Sequence, residues 1–273
     1  MTPETLLDGL TFPECPRWHA GRLWFSDVHA HRVMRVDLEG DADVVVELDD
    51  RPTGIGFLPD GTLLVVSADE RVVLRVVDGS ATVHADLRSL PVEWLNDMVV
   101  DHDGRAYVDA ITYVEDPGGE ESPDKIVCID PDGSWRLVAD PALRPNGIVI
   151  TPDSRTLIHA STRRRKLIAW TIDGDGGLSE SRLWADTGRW TPDGICLDAD
   201  GAVWIGALAK EHFVRMREGG EVDATIEVPG RLATACTLGG PDGRTLFMAT
   251  VDPETSRGNI EIAAVAVEGA GWP

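Results

Sequence analysis

The sequence predicts an all-β fold: a six-bladed β-propeller of four-stranded blades around a central channel, occupying residues 1–273 as one domain. Three observations predict it. Six short turns, Ala20-Gly21, Asp60-Gly61, Asp103-Gly104, Asp153-Ser154, Asp200-Gly201 and Asp242-Gly243, recur at intervals of about 40–50 residues. Each lies between two apolar, strand-like runs, the pattern of a hairpin whose turn needs positive φ. A weaker pair of alternating runs follows each hairpin and completes four strands per unit.

Taken in order, the runs entering the turns include TGIGFLPDG, LNDMVVDHDG, RPNGIVITPDS, PDGICLDADG and TACTLGGPDG. The runs leaving them are LWFSDV, LLVVSAD, AYVDAI, LIHAST, VWIGAL and LFMAT. Outer pairs such as HRVMRVDLEG, RVVLRVVDG and KLIAWTIDGDG alternate apolar with polar residues, as strands with one less buried face do. The last unit ends at GNIEIAAVAVEG, one strand short. The segment TLLDGL near the N-terminus is expected to supply that strand and close the ring, which removes an exposed sheet edge. One long polar loop, EDPGGEESPD at 115–124, belongs to the third blade.

A formal net charge of −22, from 47 acidic and 25 basic residues, repels phosphate backbones and anionic lipids, so neither nucleic acid nor membrane is an expected partner. No run reaches the roughly 18 apolar residues of a membrane span. MTPETLLDGL has neither a basic stretch nor a long apolar core, so a cytoplasmic location is expected. Cys15, Cys128, Cys196 and Cys236 show no CxxC pair or zinc spacing and read as free thiols. The seven histidines show no triad or ligand spacing, and His159, on a strand, reads as a core histidine. There is no Gly-x-Ser-x-Gly elbow, dinucleotide fingerprint or P-loop.

The repeat places scattered residues at one register. Eight residues before each turn's second residue stand Thr53, Asn96, Asn146, Asp193 and Ala235, and seven before the first turn's Gly21 stands Glu14. The first strand of a propeller blade lines the channel, so Glu14, Asn96, Asn146 and Asp193 are expected to converge at one mouth. Two carboxylates and two amide oxygens suit a hard cation such as Ca²⁺, Mg²⁺ or Mn²⁺. The competing reading is local: Pro-Asn-Gly and Pro-Asp-Gly are ordinary turn sequences.

At these residues the chain resembles the SMP-30/gluconolactonase/luciferin-regenerating-enzyme family of six-bladed propellers. The similarity runs through PECPRWHAGRLWFSDVHAHRVMRVD, LNDMVVDHDGRAYV, RPNGIVITPDSRTLIHAST, PDGICLDADGAVWIGAL and TLGGPDGRTLFMAT, nearly the whole chain. The resemblance implies one divalent cation in the channel, Ca²⁺ foremost, with Mg²⁺, Mn²⁺, Zn²⁺ or Fe²⁺ as alternatives. It implies Glu14, Asn146 and Asp193 as ligands, Asn96 as a further ligand or substrate contact, and Asp193 as general base or nucleophile. Two departures stand out. The family's Glu-Gly-Pro is here Glu14-Cys15-Pro16, and the Arg that sugar-lactonase members carry two residues before the third-blade Asn is Trp94. Their acidic sugar-binding position aligns near Val114, beside Tyr113 and Glu115.

The expected function is a metal-dependent hydrolase opening a lactone or related ester, on a chain that is a monomer or weak homo-oligomer. Trp94 and Tyr113 as substrate contacts point to a molecule less polar than a sugar lactone, unless Trp94 is simply packed as core. The alternatives are a metal-dependent propeller enzyme of another type, phosphotriesterase-like or a biosynthetic cyclase, and a non-catalytic binding propeller.

Overall fold

The computed structural model describes residues 2–112, 124–140 and 144–271. It forms six four-stranded antiparallel sheets, the blades of a propeller. Their inner strands are Pro13–His19, Pro52–Phe57, Trp94–Val100, Pro145–Ile150, Pro192–Leu197 and Leu232–Gly239. In five blades the four strands follow one another in sequence. In the sixth, the outer position is taken by Glu4–Leu10, which pairs antiparallel with Gly258–Ala264. TLLDGL therefore closes the ring, as its spacing predicts.

Every blade runs from dry to wet. Pro52–Phe57, Leu63–Ser67 and Pro192–Leu197 are buried along their whole length, whereas the fourth strands Ala42–Glu47 and Ser80–Asp86 alternate or face solvent. Neighbouring blades bury their apolar faces against each other. Leu64, Val66 and Val73 of the second blade pack with Leu95, Met98 and Val108 of the third. Removing each such side chain from water is worth about 1.5–3 kcal/mol. The second residue of all six repeating turns, Gly21, Gly61, Gly104, Ser154, Gly201 and Gly243, has positive φ, which is why five are glycine.

One local irregularity recurs at one end of the channel. In each inner strand the pairing slips by a residue near its start: between Glu14 and Arg17, Pro52 and Ile55, Leu95 and Met98, Pro145 and Ile148, Pro192 and Ile195, and Ala233 and Ala235. A β-bulge bends its strand and re-aims the side chain that carries it. Asn96, Asn146 and Asp193 sit on these bulges, and Glu14 borders the one in the first blade. Pro-Asn-Gly and Pro-Asp-Gly are therefore bulged starts of inner strands, which overturns the ordinary-turn reading. Their glycines serve blade contact: a Cβ on Gly147 would lie 2.5 Å from the Asp193 carbonyl oxygen, and one on Gly194 would lie 2.4 Å from the Ala235 Cβ.

No helix among the described residues is long and apolar enough to cross a membrane. All four cysteines are free and buried.

Candidate active site at the channel mouth

The bulges bring three of the four ring residues into a hydrogen-bonded chain. The Asn96 Nδ2 donates to Asn146 Oδ1 at 3.4 Å, and the Asn146 Nδ2 donates to Asp193 Oδ1. These contacts join the third, fourth and fifth blades. Glu14, from the first blade, accepts the N–H of Cys15 at 3.3 Å. Its carboxyl is pushed well above the usual range by burial, and then by the negative charges of Asp193 and Asp97. Burial and Asp97 likewise raise Asp193, to about 7, against the lowering effect of its bond from Asn146. Two carboxylates that resist ionising because of burial and neighbouring charge form a site that a cation would neutralise.

Behind this ring lies a second layer that sequence reasoning missed. Arg17 spans from the first blade to the third, donating to Asp97 Oδ1 at 3.1 Å and to the Met98 carbonyl at 2.6 Å. Asp97 also accepts the N–H groups of Met98 at 2.7 Å and Ile148 at 3.3 Å, so one carboxylate holds the first, third and fourth blades. Asp109 is fully buried; one oxygen accepts from Asn96 at 3.4 Å and the other is unsatisfied. Burial, and then the charge of Asp97, hold its carboxyl well above the usual range. The sequence signal for these residues is slight: Asp97 follows Asn96 directly, and Asp109 lies inside the apolar run AYVDAI.

Cys15, where the family's glycine is expected, keeps a left-handed backbone at φ +49° and is buried. The strand bends there in the conformation that glycine adopts freely, at a cost of about 1–2 kcal/mol for a residue with a Cβ.

Beside Asn96 and Asn146 opens a cavity of about 240 Å³, lined also by Trp94, Ile111, Arg144, Thr162 and Arg163. Trp94 is half-buried and forms part of this wall. Tyr113, Val114 and Glu115 lie outside the described residues, as does the loop from 115 to 123. Thr53 and Ala235, at the same register, are buried between blades and add no charge. His159 is a core residue that accepts a bond from Trp170 Nε1 at 3.1 Å. A second cavity, about 320 Å³, opens at the opposite mouth beside Trp18, His19 and Phe57, and no carboxylate is among its described lining residues.

Among the described residues no three His, Cys, Asp or Glu side chains gather as a metal-binding group. The ring is instead two carboxylates and two amides, an oxygen-rich set that fits a hard divalent cation.

A six-bladed propeller with a buried acidic and amide site at one mouth is a scaffold for small-molecule chemistry. Residues 12–252 match the family model for the SMP-30/Gluconolactonase/LRE-like region, and the chain belongs to that family. It is 28% identical over 243 residues to a pentonolactonase of Haloferax volcanii, covering 87% of this chain and 80% of that one. It is 25% identical over 269 residues to a 6-deoxy-6-sulfogluconolactonase of Pseudomonas putida, covering 95% and 87%. Among solved structures, a gluconolactonase from Xanthomonas campestris superposes with a TM-score of 0.80 at 25% identity, covering 96% and 88%.

Proposed function

We infer that this protein is a divalent-metal-dependent lactonase acting on a small lactone or related ester. The observation that carries the reading is the meeting of Glu14, Asn96, Asn146 and Asp193 from four blades at one mouth, where burial and neighbouring charge make both carboxyls hard to ionise. The lactonase names of the relatives support the same class.

Glu14, Asn146 and Asp193 would hold one cation, Ca²⁺ by the hardness of the donors, with Asn96 at or just beyond contact. That cation supplies Lewis-acid polarisation of the lactone carbonyl and charge for the developing oxyanion. Asp193 orients the attacking water and takes its proton. Asn146 fixes the Asp193 carboxylate by donating to one oxygen, which leaves the other for the water. Asn96, itself held by Asp109, steadies the substrate beside Asn146. Trp94 offers an apolar face to the ring carbons, so the substrate has fewer hydroxyls than an aldonolactone. Ring opening releases a hydroxy-acid. Four buried free thiols suit a reducing compartment, and the reading places the chain in the cytoplasm.

The test is proton release from a lactone panel in a pH-stat, before and after chelation and with each divalent cation restored. The expected result is cation-dependent hydrolysis of at least one lactone. Hydrolysis unchanged by exhaustive chelation removes the metal, and no hydrolysis across the panel removes the reading.

A further inference from the structure

Two guanidinium groups border the cavity that holds Trp94, Asn96 and Asn146. Arg144 precedes Pro145 at the start of the fourth inner strand, and Arg163 follows Thr162 in the turn after the next strand. Many arginines of this acidic chain are matched with a carboxylate: Arg32 with Asp27 at 2.8 Å, Arg51 with Asp69, and Arg215 with Asp198, Asp200 and Asp223. Arg163 is exposed and makes no ion pair among the described residues. Arg144 comes only to 3.9 Å of Asp124, a buried carboxylate already committed to the N–H groups of Thr112 at 2.7 Å and Arg144 at 2.6 Å. Burial pushes the Asp124 carboxyl up, and the N–H groups of Thr112 and Arg144 and the charges of Arg144 and Arg163 pull it back down, so one carboxylate faces two guanidinium groups. The cavity thus has an apolar wall, two amides and a cationic rim.

We propose that the substrate carries an anionic group, a carboxylate, sulfonate or phosphate, which Arg163 and Arg144 receive while the lactone ring lies against Trp94 beside Asn96 and Asn146. This rests on the lactonase reading above. At a net charge of −22 the molecule as a whole repels an anion, so such a substrate needs a local positive rim to enter. A guanidinium fork matches the paired oxygens of these groups. A volume of about 240 Å³ suits one small ring with a single substituent.

The experiment compares kcat/KM for a butyrolactone bearing a ring carboxylate with that for its primary amide, at matched cation and pH. The charged lactone is expected to be favoured about tenfold, with the advantage shrinking as salt is added. Arg163→Gln should bring the ratio near one. Arg155→Gln, an exposed arginine outside the cavity, controls for the loss of one positive charge and should leave the ratio in place. Equal turnover of the two lactones, preference for the amide, or equal effects of the two variants overturns the anion site while the lactonase reading stands. Failure to hydrolyse either lactone with any cation, together with a silent lactone panel, overturns both.

Discussion

Arg17 of the first blade reaches Asp97 of the third, 80 positions along the chain, at 3.1 Å, with both side chains almost wholly buried. The pair ties together the strands on either side of the second blade, directly behind Glu14 and Asn96. It is also the cationic counterpart of Asp97, whose charge is felt by Glu14, Asp109 and Asp193.

Removing one partner of this pair strands the other in a dry channel. Arg17→Met is expected to cost about 3–5 kcal/mol in denaturant unfolding. The double variant Arg17→Met, Asp97→Leu should recover part of that loss, because it buries no lone charge. Additive losses in the double-mutant cycle contradict the coupling.

Asp193 and Glu14 should separate in their effects. Asp193→Asn keeps the fold and lowers turnover by about 10³-fold, since it removes the candidate base along with a charge on the cation. Glu14→Gln weakens cation binding and regains activity as cation is added. Near-normal turnover in Asp193→Asn, measured on the best lactone of the panel, rules out the role given to that residue.

The metal-free protein should lose stability as pH rises. Asp193's pKa is raised on folding to about 7, so between about pH 4 and 7 the folded chain keeps a proton that the unfolded chain has released. The stability this group contributes is therefore present below that window and declines through it, and Glu14 acts in the same direction. A bound cation needs both carboxylates ionised, so the melting-temperature gain on adding Ca²⁺ should grow from pH 5 to pH 8, by roughly the proton-linked increment. Melting curves at both pH values, with and without chelator, check this. The same gain at both would count against cation binding by these two groups.

Trp94→Arg should move specificity towards hydroxyl-rich lactones, because a guanidinium replaces an apolar wall beside Asn96. The wild type is expected to turn over lactones with few hydroxyls faster than gluconolactone, once spontaneous hydrolysis is subtracted. A wild-type preference for gluconolactone sinks the idea.

The architecture was legible because turn chemistry and apolar runs repeat in each unit, and because the last unit lacked a strand that residues 4–10 match in pattern. The register of Glu14, Asn96, Asn146 and Asp193 was legible for the same reason: a repeat turns sequence position into position around a ring. What did not show was everything that depends on contact between strands and between blades. Arg17 and Asp97 meet across the channel. Asp109 approaches Asn96 from a neighbouring strand, and Arg163 borders the cavity from a turn. The glycines of Pro-Asn-Gly and Pro-Asp-Gly looked like turn glycines. Their reason is the adjacent blade's backbone and Cβ, which no local pattern reveals.

The pairing of Glu4 with Ile262 makes ring closure a late event in folding. Five blades are built from consecutive strands and can form as synthesis proceeds, but the sixth waits until Gly258–Ala264 exists to receive Glu4–Leu10. Contacts between segments so far apart carry the largest loop-closure cost, so they set the slow step. Glu14 lies just beyond that strand, and its blade gains its neighbour on one side only when the circle is complete. An open propeller would hold Asn96, Asn146 and Asp193 on three consecutive blades while Glu14 stayed apart. Cation affinity is then a reporter of closure, and a bound ion acts as a latch on the seam.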